Sequence, residues 1–363
     1  MKRVRIGVIG LGSIGAFHAR GLLDGKVPRA VLTAVCDPNP KALRPFARHG
    51  AAFTDSSALI RSGAADAVLI ATPQSLHAEI GIDALRRGLH VLVEKPLARH
   101  LAEGRRLVAA HRGRKQVFAI MFNQRADPRH QWIRDAVAAG VIGALQRVHL
   151  EMTEWFRTNV YYEAARWRAT WRHEGGGILM NQYAHHLDLL QWICGMPERV
   201  RAFCSIGKYH PIATEDEVTA RLEFKGGATG VFVGSTGEAP GTNRFEIAGD
   251  LGRIVLEGGK LTLTRNSVSA ARFRRTSRAP MAKPAARQTA VRVPRTPELH
   301  QALTRNFVDA ILDGTPLIAP AKEGTRSLEL ANAMIYSSFK EQTVDLPLNA
   351  AHYERFLKRL QKG

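Results

Sequence analysis

The sequence predicts an α/β protein of two domains, in which a parallel sheet covered by helices on both faces precedes an α+β domain built on a mostly antiparallel open sheet. Three observations support this prediction. The chain of 363 residues is long enough for two separate cores. Short apolar runs alternate with helical stretches up to residue 123, and longer runs with period-two alternation follow. We therefore place the domains at residues 1–123 and 124–363.

The first domain contains five short runs rich in valine, isoleucine and leucine. The runs are VRIGVIG, LTAVCDP, ADAVLIATP, HVLVEKP and VFAIMFN. Strands that are apolar on both faces and alternate with helices form parallel sheets buried on both sides. The pattern therefore predicts a doubly wound sheet.

The second domain contains longer alternating runs, such as EVTARLEFKG, ATGVFVGST and RIVLEGGKLTLTR. Glycine pairs between them, as at Gly226-Gly227, are typical of turns between antiparallel strands. Residues 266–297 lack a clear period and predict a long loop or irregular edge. Amphipathic helices follow within residues 298–342, and we expect them to pack back on the first domain.

The composition excludes several classes of protein. Hydrophobic residues make up 45% and charged residues 23% of the chain, the usual shares for a globular protein. No segment has the roughly eighteen unbroken apolar residues of a membrane span, and the N-terminus lacks a small-residue cleavage site, so we expect a cytoplasmic protein without membrane association. Cys36, Cys194 and Cys204 have no paired spacing, which favours buried thiols over a metal site or a disulfide framework.

The formal net charge of +20 has two interpretations. A basic field could steer an anionic ligand or nucleic acid toward the protein, or the excess could be a solvated, arginine-rich surface. Residues 265–295 hold nine basic residues and no acidic one, but they lack interleaved aromatic residues and a recognisable nucleic-acid module. We favour the solvated surface and expect no nucleic-acid partner.

A glycine-rich loop follows the first predicted strand. Gly10, Gly12 and Gly15 form a G-x-G-x-x-G pattern, and Ser13 and Ile14 lie inside it. The first glycine allows a tight turn, the second lets backbone N–H groups approach a pyrophosphate, and the third lets the helix pack closely on the strand. The pattern predicts a Rossmann dinucleotide-binding domain.

Asp37 indicates which dinucleotide binds. It ends the second predicted strand, 22 residues after Gly15, where a carboxylate can accept hydrogen bonds from both ribose hydroxyls of an adenosine. The same charge would repel a 2′-phosphate. We therefore expect NAD, with NADP less favoured.

Later strand ends should complete the cofactor site, because ligands of open parallel sheets bind beyond the carboxyl ends of the strands. Ala71, Thr72 and Pro73 are expected to line the side of the nicotinamide ribose. His77, on the next helix, is either a weak cofactor contact or a surface or capping residue.

Glu94 and Lys95 end the next apolar run, so an ammonium group leaves a buried strand where nicotinamide and substrate should meet. A solvated lysine is the alternative. Pro96 follows and fixes the backbone there, and the bond before it can be cis or trans.

A second cluster lies in WRHEGGGILMNQYAHHLDLLQWICG. A helix predicted after Gly177 places Asn181, His185 and Asp188 at i, i+4 and i+7 on one face. Adjacent helical residues diverge by about 100°, so His186 cannot easily share one ion with His185, and we expect no metal.

Together these segments resemble a known family. The glycine loop, Ala71-Thr72-Pro73, Glu94-Lys95-Pro96, FNQRADP and GGGILMNQYAHHLDLLQW have the order and approximate spacing found in the glucose-fructose oxidoreductase, inositol dehydrogenase and rhizopine-catabolism (Gfo/Idh/MocA) oxidoreductases. The resemblance covers nearly the whole chain. It implies a Rossmann domain and an α/β domain whose open sheet often mediates dimers or tetramers, with the active site between them. We therefore expect a homodimer or homotetramer.

The resemblance implies that Lys95 and His185 are the catalytic pair. His185 would remove the hydroxyl proton of a secondary alcohol, and Lys95 would stabilise the developing alkoxide while NAD takes the hydride. Many members have Asp at the position of Asn181 and Gly at that of Tyr183. Asn181 can hold a hydroxyl but cannot take a proton. Asp188 would orient a histidine or form a structural salt bridge.

Aromatic and basic side chains supply candidate substrate contacts. The candidates are Asn181, Tyr161, Tyr162, Trp167, Arg168 and Trp171, with Arg125 and Arg168 as carboxylate or phosphate anchors and Asn243 and Arg244 as further anchors. The MNQ triplet resembles members that act on nucleotide sugars or other pyranosides.

Three functions remain open. The first is an NAD(P)-dependent dehydrogenase of a sugar, glycoside or cyclitol. The second is an enzyme with tightly bound NAD that uses transient oxidation to cleave or epimerise a glycoside. The third is a non-enzymatic NAD-binding sensor, against which Lys95 and His185 argue.

Overall fold

The computed structural model describes residues 3–165, 167–294 and 298–362. The strands of the first domain are β1 (Val4–Ile9), β2 (Ala30–Cys36), β3 (Ala51–Phe53), β4 (Ala67–Ile70), β5 (His90–Val93) and β6 (Phe118–Ile120). Its helices are α1 (Ser13–Leu23), α2 (Pro40–Leu43), α3 (Ser56–Arg61), α4 (His77–Arg86) and α5 (Leu101–His111).

The first sheet has the order β3-β2-β1-β4-β5-β6, and its neighbouring strands are parallel. The chain reverses its direction of winding between β1 and β4, so the connections after these two strands diverge and leave a crevice at their carboxyl ends. The glycine loop follows β1 and Ala71-Thr72-Pro73 follows β4. The predicted Rossmann domain is confirmed.

The second part of the chain contains a nine-stranded sheet. Its strands are β7 (Leu145–Met152), β8 (Arg199–Ile206), β9 (Glu215–Glu223), β10 (Thr229–Ser235), β11 (Asn243–Gly249), β12 (Gly252–Glu257), β13 (Lys260–Asn266), β14 (Ala286–Ala290) and β15 (Val344–Asp345). Its helices are α6 (Pro128–Ala138), α7 (Asn159–Glu163), α8 (Ala184–Cys194), α9 (Ala270–Thr276), α10 (Leu299–Asp313), α11 (Gly324–Lys340) and α12 (Ala350–Leu360).

This sheet has the order β14-β13-β12-β11-β7-β10-β9-β8-β15. β7 and β10 pair in parallel, and the other described pairs are antiparallel, so the predicted mostly antiparallel sheet is confirmed. The helices α8 and α11 pack on one face. On that face Ala202, Ala220 and Phe232 are fully buried, whereas Phe203 and Val231 on the opposite face are 60% and 38% exposed.

Two late helices return to the first domain. α10 contacts α1, β1 and β5, and α11 contacts α5. The backbone N–H of Leu101 at the start of α5 donates a buried hydrogen bond of 2.9 Å to Oδ1 of Asn332 on α11. The two domains are therefore connected by these contacts as well as by the linking chain.

The expectation of a loop or irregular edge over residues 266–297 was wrong for much of the segment. α9 begins after Ser269, whose hydroxyl caps it by accepting from the N–H of Arg272, and β14 pairs with β13. All five residues of β14 are exposed. An edge strand held by backbone hydrogen bonds needs no apolar face, and so it leaves no alternation in the sequence. Residues 295–297 lie outside the described part of the chain.

Within the described ranges, no helix is long and apolar enough to cross a bilayer. In the same ranges, no group of three or more histidine, cysteine or acidic side chains is arranged to hold a metal ion. Cys36 is buried, as predicted, but Cys194 and Cys204 are only partly so, and all three are free thiols.

Candidate active site

A cavity of about 450 Å³ lies at the carboxyl ends of β1, β2, β4 and β5. It brings together most of the residues predicted from the sequence. These are Gly10, Gly12, Ser13, Ile14, Asp37, Ala71, Thr72, Pro73, His77, Glu94 and Lys95 from the Rossmann domain, and Trp167, Arg168 and Asn181 from the second domain. Two further lining residues, Gln74 and His300, were not predicted. The cavity is large enough for a small organic ligand.

The glycine loop has the geometry that a pyrophosphate requires. Gly10 has φ of 89°, and a Cβ there would lie 2.7 Å from the backbone of Ala71. A Cβ on Gly15 would lie 1.8 Å from the carbonyl oxygen of Gly10, so no larger residue fits between helix and strand. At Gly12 there is open space, and α1 begins without a side-chain cap. Its free N–H groups and dipole suit an anion.

Asp37 is held rigidly at the edge of this loop. Its Oδ2 accepts from the backbone N–H of Leu11, and its Oδ1 accepts from that of Asn39, both at 2.8 Å. The carboxylate lines the cavity next to the glycine loop. The residues present therefore fit a dinucleotide whose ribose hydroxyls meet a carboxylate.

His77 and Glu94 line the cavity and are fixed by buried hydrogen bonds. Both ring nitrogens of the buried His77 face carbonyl oxygens, Nδ1 that of Pro96 at 2.8 Å and Nε2 that of Thr72 at 2.9 Å. His77 thus links two strand ends, a role the sequence did not indicate. The pKa of Glu94 lies below its usual value although burial alone would raise it, because His18 bonds its Oε1 at 2.7 Å.

Lys95 reaches across from the Rossmann domain to the second domain. Its peptide bond to Pro96 is cis. Its Nζ donates a hydrogen bond of 3.1 Å to the backbone carbonyl of Asn181. Burial lowers the pKa of Lys95, and the charges of Arg168 and Arg157 lower it further, against the opposite effect of Glu94 and Glu174. One of its three N–H donors is used, so two can meet substrate oxygens.

His185 lies in the first turn of α8, 8% exposed, with its ring edge to face against Phe122 at 6.2 Å. Burial places the pKa of His185 well below its usual value, and the charge of Lys95 adds to this effect. Its Nδ1 is buried without a hydrogen-bond partner among the described residues. The imidazole is therefore neutral and able to accept a proton.

The predicted helix over Asn181 was wrong. α8 begins at Ala184, and residues 178–183 form turns in which the N–H groups of Gly177 and Leu179 donate to Oε1 of Glu215. The buried carboxylate of Glu215 satisfies these two N–H groups, so the turns leave no unpaired donor at this point. Asn181 therefore does not share a helical face with His185, although it still lines the cavity.

Arg125 is not a substrate anchor. Its side chain is fully buried, and its Nε and Nη2 donate to Asp188 at 2.7 and 2.6 Å. Its Nη1 donates to Glu323. Of the two predicted roles of Asp188, orienting a histidine or forming a structural salt bridge, the structure shows the salt bridge. A guanidinium with two carboxylate partners and no exposure cannot meet a ligand.

Four other candidate contacts also lie elsewhere. The buried Tyr162 bonds Thr236 through its hydroxyl, and Trp171 packs against Phe339. Arg244 pairs with Glu246 and Glu257 on the sheet. Asn243 lines a separate cavity of about 190 Å³, together with His186. Each of these side chains therefore has a structural partner away from the larger cavity.

The wall of the second domain combines cations with aromatic rings. The guanidinium of Arg168 lies 4.4 Å from the ring of Tyr161 and 4.7 Å from that of Trp167. The guanidinium of Arg157 also lies 5.0 Å from the centre of the Tyr161 ring. Such stacking holds an arginine in place, and Nη1 of Arg168 also donates to the hydroxyl of Tyr161 at 2.8 Å.

Glu174 is a residue near the site that the sequence analysis did not predict. It is buried next to Lys95 and hydrogen-bonded to Asn181. Burial raises the pKa of Glu174 to about 7. It stands in a turn without periodicity or motif, so no sequence pattern marks it.

Two family models match the chain. One, described as an oxidoreductase family with an NAD-binding Rossmann fold, matches residues 4–122, and the other, the GFO/IDH/MocA C-terminal domain, matches residues 130–255. The first match covers the Rossmann domain, and the second covers the first half of the second domain.

Several proteins are similar to the chain. An inositol 2-dehydrogenase of Rubrobacter xylanophilus is 39% identical over 147 residues, which is 39% of this chain and 42% of that protein. A myo-inositol 2-dehydrogenase of Thermotoga maritima is 29% identical over 71% of this chain and 77% of its own length. A crystal structure of the WlbA dehydrogenase of Bordetella pertussis, in complex with NADH and UDP-GlcNAcA, is 28% identical with a TM-score of 0.81, and the match covers 96% of this chain and all of that one.

Proposed function

The chain belongs to the GFO/IDH/MocA oxidoreductases, whose N-terminal domain is an NAD-binding Rossmann fold, and we propose that it oxidises a secondary hydroxyl of a sugar, glycoside or cyclitol, or reduces the ketone. One observation supports this proposal above the others. The partly buried Lys95 lines the same cavity as the glycine loop, and its Nζ is held at 3.1 Å by the carbonyl of Asn181, in the segment that leads into the helix of His185.

The proposed roles follow from these positions. NAD, held by the glycine loop and Asp37, would supply the hydride acceptor. We assign the removal of the hydroxyl proton to His185, because its buried imidazole is neutral. Lys95 donates hydrogen bonds to the oxygen as negative charge develops there. The products are the ketone, the reduced cofactor and a proton on His185.

The cavity wall favours a substrate that bears an anionic group. Arg168 lines the cavity, and Arg157, outside the lining, adds a second positive charge that acts on Lys95. Their Nε atoms are buried and have no hydrogen-bond partner in the part of the chain that the structure describes. Guanidinium groups bind carboxylates and phosphates through two parallel hydrogen bonds. The similar WlbA dehydrogenase was crystallised with a sugar nucleotide, UDP-GlcNAcA, which supports the same substrate class here.

A substrate panel tests the function. Purified protein is mixed with NAD or NADP and with free sugars, inositols, uronic acids, glycosides and nucleotide sugars, and NADH formation is followed at 340 nm, the absorbance band of the reduced cofactor. We expect NADH in proportion to product, a preference for NAD, and loss of about 99% or more of the turnover in His185→Ala, whose general base is missing.

Other outcomes of the panel would contradict the proposal. Substrate conversion without net NADH would indicate transient oxidation on a tightly bound cofactor. NAD binding with no conversion of any panel member would indicate a sensor. Near-normal turnover in His185→Ala would remove that residue from the mechanism.

We further propose a cytoplasmic homo-oligomer that associates through the open face of the nine-stranded sheet. Phe203 and Val231 are exposed on this face, and the strand register places Thr219 between Phe203 and Val233. An exposed apolar patch on a sheet is typical of an interface. Phe203→Glu is expected to lower the mass measured by sedimentation, and a monomeric wild-type protein would contradict the proposal.

A further inference from the structure

Glu174 is a buried carboxyl group that the oxidation chemistry does not use. It is 1% exposed and stands in the turn that precedes the three consecutive glycines. Its backbone carbonyl accepts from the side-chain amide of Gln74, which belongs to the Rossmann domain and lines the cavity. Glu174 is therefore fixed at the junction of the two domains.

Both oxygens of the Glu174 carboxyl group accept hydrogen bonds. Oε2 accepts from the backbone N–H of Ala169, and Oε1 accepts from Nδ2 of Asn181. A carboxylate only accepts and a backbone N–H only donates, so the Asn181 amide must turn its NH₂ group toward Glu174. Its oxygen, Oδ1, is thereby directed away from Glu174.

We infer that Glu174 is a positioning residue, which holds the Asn181 amide so that its oxygen, and not its nitrogen, accepts a hydrogen bond from a substrate hydroxyl in the cavity. The inference rests on the proposed dehydrogenase function and deepens it. Asn181 lines the cavity, and its backbone carbonyl holds Nζ of Lys95 at 3.1 Å.

This arrangement selects a class of substrate. Lys95 offers N–H donors to the oxygen that is oxidised, and Asn181 beside it offers an acceptor. A neighbouring hydroxyl on the substrate can donate to that acceptor, whereas a hydrogen in its place leaves Asn181 without a partner. The site is therefore selective for a vicinal diol, and a deoxy analogue that lacks the second hydroxyl should be rejected.

The ionisation of Glu174 should control the amide. The groups facing it are the N–H of Ala169, the amides of Asn181 and Gln74, the cations Lys95 and Arg168, and the buried carboxyl of Glu215. Burial raises the pKa of Glu174 to about 7, and the two cations oppose this effect. Below that pH a proton on Oε1 offers Asn181 a donor, which favours the reversed amide with its oxygen toward Glu174. We therefore expect kcat/KM to rise as pH increases through about 7.

Glu174→Gln tests the inference, because a glutamine cannot satisfy two donors. When its oxygen meets the N–H of Ala169, its NH₂ meets Asn181 and forces that amide to reverse. We expect kcat/KM for the best diol of the panel to fall by about tenfold to a hundredfold, the effect of a misplaced substrate contact. The rise of activity near pH 7 should disappear, and NAD affinity should remain unchanged.

An exchanged pair provides the rescue. In Glu174→Gln with Asn181→Asp, the amide donates from position 174 and an oxygen again faces the cavity. The double variant should recover at least tenfold of the activity that Glu174→Gln alone loses. Glu329→Gln is the matched control, because Glu329 is a partly buried carboxylate that accepts a backbone N–H from Leu348 away from the cavity. It should keep wild-type kinetics and pH dependence.

The orientation of the amide can be measured without a substrate. Neutron diffraction from the deuterated free protein at pH 8 locates the deuterium atoms of Asn181. Deuterium on the side of Glu174 supports the inference, and deuterium on the side of the cavity overturns it. Wild-type kcat/KM and pH profile in Glu174→Gln would also overturn it. Should no panel member be oxidised, the proposed function fails while the neutron result still decides the orientation.

Discussion

Lys95→Met is expected to lower kcat/KM of the panel substrate by about a thousandfold while NAD affinity stays within about threefold. Methionine retains the length and apolar stem of lysine, so the buried strand end keeps its packing. It removes the ammonium group that stabilises the alkoxide and bonds Asn181. The loss should appear in single-turnover hydride transfer, and the Kd of NADH should be measured by fluorescence titration.

Lys340→Met is the control for this change. Lys340 lies at the exposed end of α11, away from the cavity, so its replacement should leave both constants unchanged. Turnover of the Lys95 variant within tenfold of wild type would contradict a role in the chemistry. A parallel loss of NADH affinity would instead assign Lys95 to cofactor binding.

Arg125→Ala is expected to lower the free energy of unfolding by about 3–5 kcal/mol, because it leaves buried carboxylates without their cation. Asp188 is 1% exposed and receives two hydrogen bonds from Arg125. The guanidinium also lies 5.0 Å from the ring of Trp192, so its removal loses packing as well. Urea unfolding of the free protein measures the change.

The loss should depend on pH. Burial raises the pKa of Asp188 although Arg125 lowers it, so removing the arginine raises that pKa further. A folded state that binds more protons than the unfolded state loses stability as pH rises between the two pKa values. The variant should therefore be weakened more at pH 8 than at pH 5.

Arg129→Ala provides the comparison. Arg129 lies in the first turn of α6, and Arg125 lies in the turn that precedes this helix. Arg129 pairs with Asp127, but its side chain is 39% exposed. Such pairs contribute about 1 kcal/mol or less. Equal losses for the two variants would show that the Arg125 pair has no special structural role.

The sequence indicated the cofactor half of the site well, because its residues follow strands directly. Gly10, Asp37, Thr72 and Lys95 each stand just beyond a buried apolar run, and a parallel sheet gathers such positions at one edge. Local pattern and global topology agree there. The strand order alone therefore brings the predicted residues together in one cavity.

The substrate half depended on partners that are distant in sequence. Arg125 pairs with Asp188 and Glu323, 63 and 198 residues away, and no local pattern shows that these charges meet in a core. The turns over Asn181 are likewise held by a distant residue, since Glu215 on β9 accepts hydrogen bonds from the N–H groups of Gly177 and Leu179. His300 on α10 also lines the cavity, and it was missed because this helix reaches the cavity only through the tertiary fold.

The return of α10 and α11 to the first domain has a consequence for how ligands enter. Parting the domains would break the Leu101–Asn332 hydrogen bond and the contacts of α10 with α1, β1 and β5. These contacts oppose a hinge opening of the two domains, so we expect ligands to enter and leave through movement of the loops at the mouth of the cavity.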